Sequence, residues 1–255
     1  MIPEKRREKI LARLQEVEVC SIKELADELE VSRVTIMRDL NLLENTGLVS
    51  KIHGGVKVIK SENSYSETRF NVRFKQNNEK KLQIAKKAVA YVKDHSTIFI
   101  DSSTTAHIFS LELFKNRYID LNIVTNSPTI IAEALKLPDI KIISTGGELN
   151  TSFSMFGGTW VVDFLDRINI DSAYISAAGI SKDLNITSSN MDLANILKKV
   201  IEKSDGVNLL VDSSKIFKRE MLDVSSIRGF SRIITDDQID NHSLEIIKGS
   251  GVEVV

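Results

Sequence analysis

The chain has 255 residues, 42% of them hydrophobic, and a formal net charge of −1. That is enough for one large domain or a small one plus a medium one, and the near-neutral total gives no bulk sign of nucleic-acid binding. A single cysteine, Cys20, excludes an internal disulfide and a cysteine-based metal site, and no apolar run approaches the roughly 18 residues needed to cross a bilayer.

Residues 3–18 read as a first helix with Ile10, Leu11, Leu14 and Val17 as its apolar stripe. Its Lys5-Arg6-Arg7 cluster is either solvated or set against a phosphate backbone. Ser21 followed by Glu24 is a capping box, which starts a second helix at Ile22. Val31 falls in a turn, and Ser32 caps a third helix. There Val34, Ile36, Leu40, Leu42 and Leu43 supply apolar positions, and Arg33, Thr35, Arg38 and Asn41 polar ones. Two helices joined this tightly predict a helix-turn-helix, whose second helix enters the DNA major groove. Gly47 suits the end of that helix. Leu48–Ile52 and Val56–Ile59 alternate as two strands around a His53-Gly54-Gly55 turn, which makes the unit a winged helix. Residues 31–60 carry a net +3 before His53 is counted, whereas residues 14–30 hold six acids and one base. A basic face beside an acidic back suits phosphate contact.

The run VSRVTIMRDLNLLENTGLVSKIHGG resembles the DeoR family of bacterial sugar-metabolism repressors in the order and spacing of its residues. One departure is Met37-Arg38, where that family usually has two arginines. On this reading Arg33, Thr35 and Arg38 contact bases or phosphates, and Lys51, His53 and Lys57 of the wing contact the backbone or an adjacent groove.

The winged-helix domain is expected over residues 1–59. Residues 60–78 are polar and aperiodic, a linker. Within it and just beyond, Arg73, Asn77 and Lys81 match the connecting segment of the same family. From about Glu79 to the C-terminus the chain reads as one α/β domain (79–255). A helix from Glu79 to Lys93 precedes strands at Thr97–Ile100, Leu121–Val124, Ile140–Ile143, Ser172–Ser176, Asn208–Val211, Arg232–Thr235 and Val252–Val255. Helices fall between them, including one over 191–203 and one from about Asp236. Ser127 with Pro128 is a helix start. Short β-branched runs separated by helices predict a mostly parallel sheet.

Polar loops recur just after these strands, where open parallel sheets bind ligands. Asp101-Ser102-Ser103-Thr104-Thr105 offers hydroxyls and amides at a helix start, suited to a phosphate or another oxyanion. Thr125-Asn126-Ser127 offers three more hydrogen-bonding groups, Gly146-Gly147 lets backbone approach a ligand, and Lys215 supplies a positive charge. The same residue types also cap helices and make turns. The resemblance extends over this half. It implies a C-terminal effector domain similar to ribose-5-phosphate isomerase and the CoA-transferase fold, which binds a phosphorylated sugar or a related metabolite. Asp101, Thr104, Thr105, Thr125, Asn126, Ser127, Gly146, Gly147, Gly179, Asp212 and Lys215 match its loops. Ser103 and Phe217 stand where glycines are usual, Ala178 replaces an aspartate, and Leu197 replaces a lysine; these departures imply an altered effector or a weakly responding pocket.

The expectation is therefore a cytoplasmic regulator that binds double-stranded operator DNA as a homodimer or homotetramer. It needs no cofactor, and its four scattered histidines (53, 95, 107 and 242) lack metal-ligand spacing. Two other readings are a regulator whose pocket no longer senses, and a sugar-phosphate isomerase-like enzyme. The enzyme would need a positioned carboxylate base, and Ala178 cannot supply one.

Overall fold

The computed structural model describes residues 2–17, 19–45, 49–52, 54–58, 64–137 and 140–255. Gly47, Leu48 and His53 lie outside the described residues, so the helix end and the wing contact expected of them are not placed. The chain divides into two compact units, Met1–Ser64 and Tyr65–Val255.

The first unit runs α1 (Pro3–Val17), β1 (Val19–Ser21), α2 (Ile22–Glu28), α3 (Arg33–Asn45), β2 (Val49–Ile52) and β3 (Gly55–Val58). The capping box forms: the Glu24 amide donates to Ser21 Oγ at 3.1 Å, and the Ser21 amide to Glu24 Oε2 at 2.8 Å. Ser32 Oγ likewise accepts from the Thr35 amide at 3.2 Å and starts α3. Ile10, Leu14, Leu25, Ile36, Leu40 and Leu43 bury their side chains together with Val49 and Val56 of the wing. The wing has one strand more than expected, because β1 pairs antiparallel with β3 and makes a sheet of order β1-β3-β2. Gly55 is needed there: a Cβ on it would lie 2.7 Å from the Cys20 carbonyl oxygen of the neighbouring strand. Val34 and Leu42 were expected in the apolar set of α3 but are exposed, at 66% and 52%. A single helix facing a small core buries one stripe, and Ile36, Leu40 and Leu43 already fill it.

The second unit opens with helix where a linker was expected. It contains α4 (Ser64–Lys75), α5 (Asn78–Val89), β4 (Thr97–Ile100), α6 (Thr104–Leu113), β5 (Asn122–Thr125), α7 (Pro128–Ala134) and β6 (Lys141–Ser144). Then follow β7 (Glu148–Asn150), β8 (Met155–Gly157), α8 (Thr159–Leu165), β9 (Ile170–Ile175), β10 (Gly179–Ile180) and β11 (Asn185–Ser188). The chain closes with α9 (Met191–Lys203), β12 (Ser204–Leu210), β13 (Leu222–Ser226), β14 (Arg232–Ile234), α10 (Asn241–Lys248) and β15 (Glu253–Val254). Seven strands form one sheet of order β15-β14-β12-β9-β4-β5-β6, in which every pairing is parallel. Cores lie on both faces, as a parallel sheet requires. α4 holds because Phe70 and Phe74, one turn apart, both lie edge-on to His107 of α6, with ring centroids 6.0 and 5.4 Å away. A β7–β8 hairpin and a small antiparallel sheet, β10-β11-β13, complete the unit.

Candidate functional site

The strand order decides which loops can share a ligand. β12, β9 and β4 are neighbours, so the loops after them meet at one sheet edge. They line a cavity of about 280 Å³. The side chain of Asp101, at the end of β4, spans two of these loops. Its Oδ1 accepts from the Ser103 amide (3.0 Å) and hydroxyl (2.6 Å), and its Oδ2 from the Ser176 amide after β9 (2.9 Å). Burial pushes its carboxyl pKa up, against those hydrogen bonds. Asp212, after β12, accepts from the Ser214 amide at 3.1 Å and from Asn77 Nδ2 at 3.2 Å, as well as from the Ser214 hydroxyl.

Lys215 Nζ donates to the Ala177 carbonyl at 3.0 Å. Burial lowers its pKa, while the carboxylates of Asp212 and Asp101 oppose the shift. The other wall comes from α4 and α5. Lys81, 2% exposed, donates to the Arg73 carbonyl and, at 2.7 Å, to the Gln76 carbonyl. Burial and the nearby charge of Lys215 lower its pKa from 10.5 to about 8. Arg73 lies with its guanidinium carbon 5.4 Å from the ring centroid of Phe153, and Lys218 completes the cationic lining. Asp212 Oδ2 and Ser176 Oγ are buried without a hydrogen-bond partner among the described residues. Two lysines held with lowered pKa values, with hydroxyls from Ser102, Thr104, Ser188 and Ser189 nearby, suit a small anion that also carries hydroxyls.

Of the loop residues singled out from sequence, Asp101, Ser102, Thr104 and Lys215 line this cavity. Thr105 is buried at the first turn of α6. Gly179 packs its backbone against that of Lys218. Thr125, Asn126, Ser127, Gly146 and Gly147 do not line it, because they end or follow β5 and β6, farther out in the sheet. Thr125 Oγ1 donates to the Ile100 carbonyl at 2.7 Å, Ser127 caps α7, and Asn126 pairs with the backbone of Phe156. Gly146 and Gly147 lie against Trp160 and the Gly157 backbone of this unit. Leu197 is 1% exposed, packed in the core, and does not line the cavity. Phe217 adopts φ +56°, which explains why glycine suits the position. The cavity residues that sequence reasoning left out of the site are mainly Arg73, Gln76, Asn77 and Lys81, together with Ser176, Ser188, Ser189 and Lys218. Arg73, Asn77 and Lys81 meet there because the chain breaks between α4 and α5 at Asn77, whose φ is +54°.

In the first unit Arg33 and Arg38 are exposed on α3, with no ion pair among the described residues. Thr35 shares a hydroxyl contact with the cap Ser32 at 2.9 Å. Lys51 turns back, bonding Glu44 at 2.7 Å and Asn41 Oδ1 at 2.6 Å. Lys57 is exposed on β3. Arg6 and Arg7 are partly buried and pair with Asp39, at 2.5 and 3.6 Å, whereas Lys5 of the same cluster is exposed.

The chain matches two family models, a DeoR-like helix-turn-helix domain over residues 6–62 and a DeoR C-terminal sensor domain over residues 76–237. It is 29% identical over 254 residues to the HTH-type transcriptional regulator GolR of Listeria innocua, covering 100% of this chain and 98% of that one. It is 31% identical over 250 residues to the lactose phosphotransferase system repressor of Lactococcus lactis subsp. lactis, covering 96% and 95%. Among solved structures, a ribose 5-phosphate isomerase from Methanocaldococcus jannaschii aligns over 55% of each chain at 22% identity, with a TM-score of 0.41. Among the described residues no helix is long and apolar enough to cross a membrane.

Proposed function

This chain belongs to the DeoR family of helix-turn-helix transcriptional regulators, and from that premise we propose that it represses genes of carbohydrate metabolism until a phosphorylated sugar or related metabolite binds. Lys81 and Lys215 carry the reading. Both are held uncomfortably as cations in one cavity, and a phosphate between them would offset their burial. The hydroxyl-rich loop at the start of α6 would hold the phosphate or the sugar. The similarity to a lactose phosphotransferase repressor supports a carbohydrate-linked role.

Lys81 also gives the effector a route to the rest of the chain. The carbonyls it binds close the C-terminal end of α4, the helix that follows the DNA-binding unit in sequence. A ligand that draws on Lys81 shifts the balance at that helix end, and a coupling of about 1–3 kcal/mol is enough for regulation. Arg33, Thr35 and Arg38 act on the DNA, with Lys57 and His53 as wing contacts; Lys51 serves by holding the wing to Asn41. The protein works as a homodimer or homotetramer assembled through its C-terminal unit, reading paired half-sites.

The test uses two substitutions. Lys215→Ala removes the response to sugar phosphate and spares DNA affinity, whereas Arg38→Ala lowers DNA affinity and spares the heat of effector binding. A full response in Lys215→Ala would put the anion elsewhere.

A further inference from the structure

The outward face of α3 carries apolar side chains where a solvated helix would carry polar ones. The helix turns about 100° per residue, which sets Val34, Met37, Arg38 and Asn41 together, opposite the buried Ile36, Leu40 and Leu43. Val34 is 66% exposed and Met37 is 37% exposed. They stand one turn apart and form a small apolar patch beside Arg38.

The charges around the patch select its partner. α3 holds two acids, and both are occupied: Asp39 by Arg6 and Arg7, and Glu44 by Lys51. The face is therefore cationic and apolar with no carboxylate competing, which suits a polyanion. Asn41 has its Oδ1 committed to Lys51 Nζ at 2.6 Å, which takes away the acceptor it would need for a two-bond contact to adenine. In the major groove one base-edge group is apolar, the 5-methyl of thymine. We infer that Val34 and Met37 read thymine methyl groups, and that the operator carries A·T pairs where they land. This rests on the reading that α3 enters the major groove.

The experiment selects binding sites for the full chain from a random duplex pool, then replaces each thymine of the selected site singly with deoxyuridine, which removes the methyl alone. Affinity falls about fourfold at one or more thymines. That loss disappears in Val34→Ala or Met37→Ala, and Val34→Ala keeps the wild-type melting temperature because Val34 is 66% exposed. Deoxyuridine that changes nothing at any position overturns the inference, as does a loss of equal size in both variants, and the DNA-binding reading then still stands. Failure to select any salt-sensitive, sequence-specific site would overturn that reading itself and this inference with it.

Discussion

Lys81 Nζ donates to the Gln76 carbonyl at 2.7 Å, so a charged group of the cavity also ends a helix. With the Arg73 carbonyl as a second acceptor, it satisfies C-terminal carbonyls of α4 that would otherwise lack partners. Lys81→Met should loosen that end and weaken sugar-phosphate binding by tenfold or more, as expected for losing a charge-assisted contact of about 1.5–3 kcal/mol. Hydrogen exchange across residues 64–77 reports the first effect and calorimetry the second. Unchanged exchange in the variant would remove Lys81 from the coupling.

Binding should also take up protons. A phosphate beside Lys81 favours the ammonium, so its pKa rises from about 8, and at pH 8 the site gains up to about half a proton. Binding heats measured in two buffers of different ionisation enthalpy give the number directly. Proton release would contradict the assignment. In the free protein the same lowering makes the unfolded chain the stronger proton binder between about pH 8 and 10.5. The destabilisation from this lysine is therefore fully present below that window and fades as pH rises through it.

Asp39 is 3% exposed and holds both Arg6 and Arg7. Asp39→Ala removes the buried carboxylate that both guanidinium groups face and should destabilise the first unit by about 3–5 kcal/mol. Arg33→Ala, at an exposed position, should leave the melting temperature unchanged and lower DNA affinity. Thermal unfolding followed by circular dichroism separates the two.

Ser103 has two tasks. Its hydroxyl accepts from the Ala106 amide at 3.1 Å to cap α6, and donates to Asp101 at 2.6 Å. Ser103→Gly should cost about 1 kcal/mol or less, since glycine is itself a tolerated cap. It should also raise the Asp101 carboxyl further, because one hydrogen bond favouring the carboxylate is lost. Carbon-detected titration of that carboxyl checks the direction.

Local chemistry was legible where a residue acts on its own neighbours. Ser21 with Glu24, Ser32, and Ser127 before Pro128 each start the helix their sequence announces. Thr97–Ile100 is a strand as read. The order of the strands was not legible, so which of the polar loops share the cavity could be read only in part. Asp101 and Thr125 look alike as polar residues at strand ends, yet β9 and β12 flank β4 on one side while β5 leads outward on the other, so only one of the two loops reaches the cavity. The three-residue β1 is too short to show a period. α4 was hidden because two aromatics one turn apart, Phe70 and Phe74, are its main anchor in a polar stretch.

On the proposed function, this regulator lets go of DNA when a sugar phosphate binds between Lys81 and Lys215. Fluorescence anisotropy of duplex DNA from upstream of its own gene, at two salt concentrations and with a panel of sugar phosphates, tests it most directly. The expected result is tight binding that weakens steeply with salt and is further weakened by one member of the panel. Tight, salt-sensitive binding indifferent to every sugar phosphate at saturation would contradict it.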